Sequence, residues 1–213
     1  MSTTEQLITH ASQATAGVGF CFLETGELVD RELELVLPED RWIDQMLIGC
    51  RHPRTRDEEA EQAATTRQQL VELVRTAPGG REPADFLRGK VPCYHFWMRL
   101  REQYEPPLPM AGSISLRVGH NRDLELYFGH IGYGVYPPAR GRHYAERACR
   151  LLFGLAGRHG LNPLWITTDP ANLASRRTCE RLGGVLVGVV DVPPDHMLYA
   201  RGQKRKCRYR INL

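Results

Sequence analysis

A mixed α/β fold is predicted for this 213-residue sequence, on three observations. First, aromatic and alternating apolar stretches between Cys93 and Tyr136 are joined by short turns, the pattern of an antiparallel meander. Second, from Tyr144 onward the apolar residues change to the three-and-four spacing of a helix face. Third, strand, helix, strand, helix and strand patterns follow in turn to the C-terminus, which lays helices on a sheet.

In order along the chain, residues 1–30 show little periodicity and are expected to form an N-terminal extension, with the main domain at 31–213. "LELVLP" (Leu33 to Pro38) alternates like a strand and is ended by its proline. Glu39 to Leu73 is helix-like, and "APGGREP" (Ala77 to Pro83) breaks it. "CYHFWMRL" and "GSISLRVG" are predicted strands, with the loop "YEPPLPM" between them. "LELYFGHIGYGVY" (Leu124 to Tyr136) is predicted as one long strand, or two pieces joined near Gly129. Tyr144 to His159 is a helix stopped by Gly160, and "LWITT" is a buried strand. "DPANLASRRTCERLGG" opens with cap residues and closes as a helix on Gly183 and Gly184, and "VLVGVVDV" and "CRYRINL" are strands.

Composition narrows the function classes. With 42% hydrophobic and 25% charged residues the chain is too apolar for a disordered protein. A net charge of +3 argues against a nucleic-acid partner, and the basic run Arg201 to Arg210 is expected to be a solvated edge. Six dispersed cysteines without a CxxC pair argue against a metal site and against a disulfide scaffold. No signal-peptide pattern and no membrane span are seen, so a reduced, cytoplasmic protein is expected.

The chemistry-bearing stretch is "GVYPPARGRHYAERA", where a strand enters a helix through Arg140, Gly141, Arg142 and His143. The amides of a helix's first turn lack partners within the helix and its dipole makes that end positive, so an anion belongs there. Arginine adds a full charge with a fork that matches phosphate oxygens.

At this point the sequence resembles the Gcn5-related N-acetyltransferase (GNAT) superfamily, and within it a bacterial branch of predicted acetyltransferases. The family loop, Arg/Gln-x-x-Gly-x-Gly/Ala after Val-x-Pro, is matched by Val135, Pro137, Arg140, Gly141, Arg142, Tyr144 and Ala145, with His143 at the first motif glycine. About 30 residues on, "WITTDPANLASRRTCERLGG" matches the second signature through Asn172, Ser175 and Gly183, and a terminal "CRYRI" accompanies both. The likeness is close over Ala111 to Gly184 and loose over Leu33 to Leu213.

The resemblance implies a mostly antiparallel sheet with a splayed strand pair, flanked by helices, and acetyl-CoA as acyl donor. Gly134, Val135 and Tyr136 would run along the pantetheine arm. Arg140, Gly141, Arg142, His143, Tyr144 and Ala145 would hold the pyrophosphate, with Asn172 and Ser175 nearby. His143, as a first-turn residue, is expected to keep a negative φ and donate its amide. The acceptor would be the primary amine of a small molecule. A phosphopantetheinyl acyl carrier protein as donor, or a non-catalytic acyl-CoA-binding module, are the alternatives.

Direct amine attack on a thioester needs a base and an acid for the leaving thiolate. Cys179 stands where many relatives have the acid tyrosine, and helix packing is its other use. For the base the candidates are Glu125, His130 and Tyr133, and His130 has the alternative of filling the sheet and bonding a carbonyl. Trp42, Tyr94, Phe96 and Trp97 are candidates for the acceptor pocket, with the Pro106-Pro107 loop. By analogy the terminal strand offers an edge for a homodimer.

Overall fold

The computed structural model describes residues 20–85, 89–101 and 108–213. The expectations placed on residues 1–19 and on the Pro106-Pro107 loop lie outside these. The fold is the mixed α/β sheet with flanking helices that the patterns predict.

Two antiparallel sheets form it. The first has the order β1 (Leu33–Val36), β3 (Cys93–Leu100), β4 (Met110–Arg117), β5 (Ile131–Val135), with the short β2 (Arg81–Glu82) also on β3. The second has the order β6 (Leu164–Thr168), β8 (Arg205–Ile211), β7 (Val185–Asp191). Helix α5 (Tyr144–Arg158) covers one face: Tyr94, Phe96, Met98, Ile114, Leu116 and Ile131 pack against its Tyr144, Ala148, Leu152 and Leu155. On the other face α1 (Ile43–Arg51) and α4 (Arg67–Thr76) bury Met46, Leu47 and Leu70 on Trp97 and Met110. Between them run α2 (Pro53–Glu58) and α3 (Ala60–Ala63). Helix α6 (Leu173–Arg181) follows β6, and α7 (Met197–Ala200) lies between β7 and β8.

Arg147 of α5 anchors the chain entering β1, bonding Asp30 at 2.5 and 2.7 Å and Glu32 at 2.7 Å. Leu28, ahead of this clamp, is buried in the main core.

Three expectations are corrected. Leu124–Phe128 is not strand but a π-helical turn: the Leu124 amide donates to Asn121 Oδ1 (2.7 Å), and Gly129 ends the turn at φ 70°. The terminal strand β8 is not an edge, because it lies between β6 and β7. The edge strand beyond it is β7, where Val185, Leu186, Val187 and Val189 are exposed. The basic run is only partly a solvated edge. Lys206 is buried, and Arg208 stacks over Trp165 and donates to the Glu125 carbonyl (2.9 Å), pinning the π-helical turn to the second sheet.

Candidate active site

Backbone hydrogen bonds join the two sheets at His130 and Trp165. The His130 amide donates to the Trp165 carbonyl (2.7 Å), and the Trp165 amide donates back to His130 Nδ1 (2.8 Å). Beyond this contact β5 and β6 are not paired with each other. Alternation then decides which groups of β5 face the gap. Register pairs Gly132 with Ser115 and Gly134 with Ser113, while Arg117 N–H donates to His130 O and Tyr136 N–H to Ala111 O. The even-numbered residues are thus the hydrogen-bonded partners of β4, and the amides and carbonyls of Ile131, Tyr133 and Val135 point away from it into the gap. The expected backbone contacts from Gly134 and Tyr136 are corrected accordingly. Tyr136 is buried against α1, its hydroxyl 3.1 Å from Cys50 Sγ.

His130 is fully buried. Its Nδ1 accepts from Trp165, so the ring proton sits on Nε2, which donates to the Gly119 carbonyl (3.1 Å). With no nitrogen free to take a proton, His130 is a pin between the sheets and not an available base. Burial lowers its pKa from 6.5 to about 4. The unfolded chain therefore binds a proton that the folded one rejects, and stability is lost as pH falls from about 6.5 to about 4, by about 3 kcal/mol in all. Thermal unfolding across that window should show this slope in the wild type and a flatter one in His130→Gln.

Tyr133, Ser175 and Cys179, distant in the sequence from β5 to α6, come together. The Tyr133 hydroxyl lies 2.9 Å from Ser175 Oγ on α6, and burial raises its pKa, which keeps the phenol protonated. Cys179 is fully buried beside it, and burial pushes its thiol up to about 12. Asn172 caps α6, its Oδ1 accepting from the Ser175 amide (3.0 Å).

The mouth of the gap is the turn into α5. Its first intrahelical bond is Arg147 N–H to His143 O (3.0 Å), so the amides of Tyr144, Ala145 and Glu146 have no acceptor within the helix. The negative φ expected of His143 is corrected: it stands at φ 58°, the left-handed conformation a glycine would adopt, as does Gly141 at φ 86°. The loop therefore keeps the turn of the glycine motif at a backbone cost of about 1 kcal/mol. Its imidazole is exposed, 3.7 Å from Glu146. Tyr144 is buried, so only its amide is on offer. Arg140 is less free than expected: it pairs with Glu59 (2.5 Å) and Glu58 (3.6 Å), and its Nε donates to the Val135 carbonyl (3.3 Å).

Gln62 of α3 was not singled out by the sequence. Its Nε2 would sit 3.3 Å from a Cβ built on Gly134, and its buried Oε1 finds no hydrogen-bond partner among the described residues. Only its placement over a bare glycine strand marks it.

On the same sheet face a cavity of about 970 Å³ opens between the β2–β3 hairpin, the π-helical turn and Pro193–Met197. Glu82, Lys90, His95, Arg117, Asp123, Asp195 and His196 are among its lining residues. Arg117 also lies over Gly132, 3.1 Å from where a Cβ would be, so the wall reaches β5. The predicted aromatic lining is corrected. Tyr94 and Phe96 face α5 in the core and Trp97 faces α1, because each is on the covered part of its sheet face.

Compared with known families, residues 33–185 match the acetyltransferase (GNAT) domain, most of the chain. The protein belongs to the GNAT superfamily. It is accordingly an acyltransferase using acetyl-CoA. No curated protein matches the chain in sequence. Among solved structures the GNAT chain is similar to the microcin C7 self-immunity acetyltransferase MccE in complex with acetyl-CoA and AMP, at 17% identity and TM-score 0.62 over 86% of this chain and 94% of that one. It is also similar to the ribosomal L7/L12 α-N-protein acetyltransferase RimL in complex with CoA (16% identity, TM-score 0.59, 87% and 96%). A GCN5-related N-acetyltransferase from Brucella melitensis is a third (16%, 0.62, 91% and 81%). At such identities the likeness shows the fold. Among the described residues no helix is long and apolar enough to cross a membrane.

Proposed function

We propose that this acetyltransferase moves acetyl from acetyl-CoA to the primary amine of a small molecule, by direct attack within a ternary complex. The observation that carries the reading is the gap between β5 and β6, bonded at His130 and Trp165, with the edge groups of Tyr133 and Val135 facing it. The pantetheine arm has amide and carbonyl groups that such a strand edge complements. The pyrophosphate belongs at the amides of Tyr144, Ala145 and Glu146, with Gly141, Arg142 and His143 shaping the turn. Gln62 Oε1, buried and without a partner, is an acceptor suited to an amide N–H of the donor.

The acceptor enters the 970 Å³ cavity, whose size is at the upper end for small-molecule sites. Its walls carry both signs, Lys90, Arg117 and Arg122 against Glu82, Asp123 and Asp195, and Glu82 is paired with Lys90 and His95, so an ammonium group would be met at Asp123 and Asp195. The neutral amine attacks the thioester carbonyl, forming the C–N bond as the C–S bond breaks; the departing thiolate takes the proton of Tyr133, the new amide nitrogen sheds its extra proton to solvent, and solvent reprotonates the phenolate. Ser175 positions that hydroxyl.

A carrier-borne donor would not need the full pyrophosphate cradle, and the loss of a loop glycine to His143 would be the motive for it. The left-handed His143 removes that motive, because the turn has the glycine shape.

Calorimetric titration tests the donor site. CoA should bind at least about tenfold more tightly than pantetheine, which lacks the pyrophosphate, since hydrogen bonds to a charged group contribute about 1.5–3 kcal/mol. Equal affinities would remove the pyrophosphate from the α5 turn and restore the carrier-protein reading. No binding of either would overturn the donor site altogether.

A further inference from the structure

One side-chain cluster in the cavity wall is not needed for acetyl transfer. Glu82 on β2 is the register partner of Cys93 on β3, and His95 follows two residues on, so period-two alternation puts Cys93 and His95 on one face. One ligand atom from each of the three lies within 4.8 Å of the other two, and all three residues line the cavity. His95 Nε2 is 2.9 Å from Glu82 Oε2, while Glu82 Oε1 is held by Lys90 Nζ at 2.8 Å. Cys93 is buried, with its Sγ 3.6 Å from the Tyr94 carbonyl.

We propose that Glu82, Cys93 and His95 form a binding site for a divalent metal ion of the zinc class, opening into the acceptor cavity. One sulfur, one imidazole nitrogen and one carboxylate oxygen are a donor set that zinc accepts, with the fourth position left to water or a ligand. Bonds of about 2.0–2.3 Å in a tetrahedron place the ligand atoms about 3.3–3.8 Å apart. The cluster's span brackets that spacing, so rotamer adjustments on two paired strands suffice. The carboxylate divides its work: Oε1 stays with Lys90, which orients it, and Oε2 turns to the ion. Binding releases the thiol proton of Cys93, so the thiolate, the carboxylate and the neutral imidazole balance the dication. Lys90 and Arg117 beside the cluster oppose any cation there, so binding rests on the thiolate and the carboxylate.

The test is titration of the purified full-length chain with Co²⁺ and with Zn²⁺. One equivalent of Co²⁺ should produce a near-ultraviolet thiolate-to-cobalt charge-transfer band with the visible bands of a tetrahedral ion, and Zn²⁺ should bleach them. Cys93→Ser should abolish the charge-transfer band. Because Cys93 is buried, Glu82→Gln, on a partly exposed side chain, is the second variant, and should raise the Co²⁺ dissociation constant at least about tenfold. Absence of the band in the wild type would overturn the site, as would a band unchanged in both variants, which would place the cobalt on another cysteine. Neither readout depends on acetyl transfer, so failure here leaves the proposed function standing.

Discussion

Tyr133→Phe is expected to lower kcat for acetyl transfer about 100-fold and to leave the KM for acetyl-CoA within about threefold. The magnitude is the lower end of what a positioned proton donor contributes. The hydroxyl is on β5, in the strand whose edge faces the gap, and is bonded to Ser175 of α6 at 2.9 Å. Burial raises its pKa, which keeps the phenol protonated throughout the neutral range but weakens it as an acid, so the role rests on its place on the strand bordering the gap. The ring itself packs on the main core and phenylalanine preserves that packing, so the lost rate reports the proton and not the fold. Cys179 is the rival acid, at the position matching the family tyrosine. It is fully buried in the main core on α6, whereas Tyr133 is on the strand that borders the gap, so Cys179→Ala should change kcat by less than about threefold. Steady-state kinetics on both variants decides between them: a collapse in Cys179→Ala with Tyr133→Phe unaffected would transfer the role to the thiol.

The parts of this site that were legible in the sequence are those whose determinants are local. The helix opening after Arg140-Gly141-Arg142-His143 follows from spacing within α5, and the cap at Asn172 bonds an amide three residues on. The roles that were missed depend on contacts from far along the chain. His130 looks like a catalytic base until Trp165, 35 residues later, occupies its Nδ1. "LELYF" has strand composition, but Asn121 caps it, Gly129 turns it, and Thr167 Oγ1 donates to the Tyr127 carbonyl (2.7 Å), winding it into a π-helical turn. The Cys93-Tyr94-His95 spacing is a local signal that alternation could have exposed. Its third member, Glu82, arrives only through the β2–β3 pairing. His143 shows the same limit at one residue: the motif position was recognised, but the left-handed φ that the turn imposes belongs to the folded loop.

Gly112→Ala has the largest expected effect on stability, a loss of about 3–4 kcal/mol, seen as a fall of roughly 10 °C in Tm for a chain of this size. Gly112 stands at φ 149° on β4, opposite Val135, next to the register shift at Met98 and Arg99. An added Cβ would collide with the Gly134 carbonyl oxygen, and would lie 2.9 Å from its carbon and 3.0 Å from Val135 Cα. Those atoms are backbone, so no side-chain rotation relieves the contact. Either β4 and β5 part or Gly134 and Val135 are driven toward the gap, and acetyl-CoA binding weakens with the fold. Gly141→Ala separates the steric cause from the conformational one. Gly141 also has positive φ, at 86°, but nothing lies within 4 Å of its Cβ position, so only the backbone preference of about 1 kcal/mol is lost. Calorimetric unfolding of the two variants should therefore differ by at least a factor of two in lost stability. Equal losses would show that the close approach of β4 and β5 at Gly112 relaxes without cost, and that the gap-side strand is more pliable than its pairing indicates.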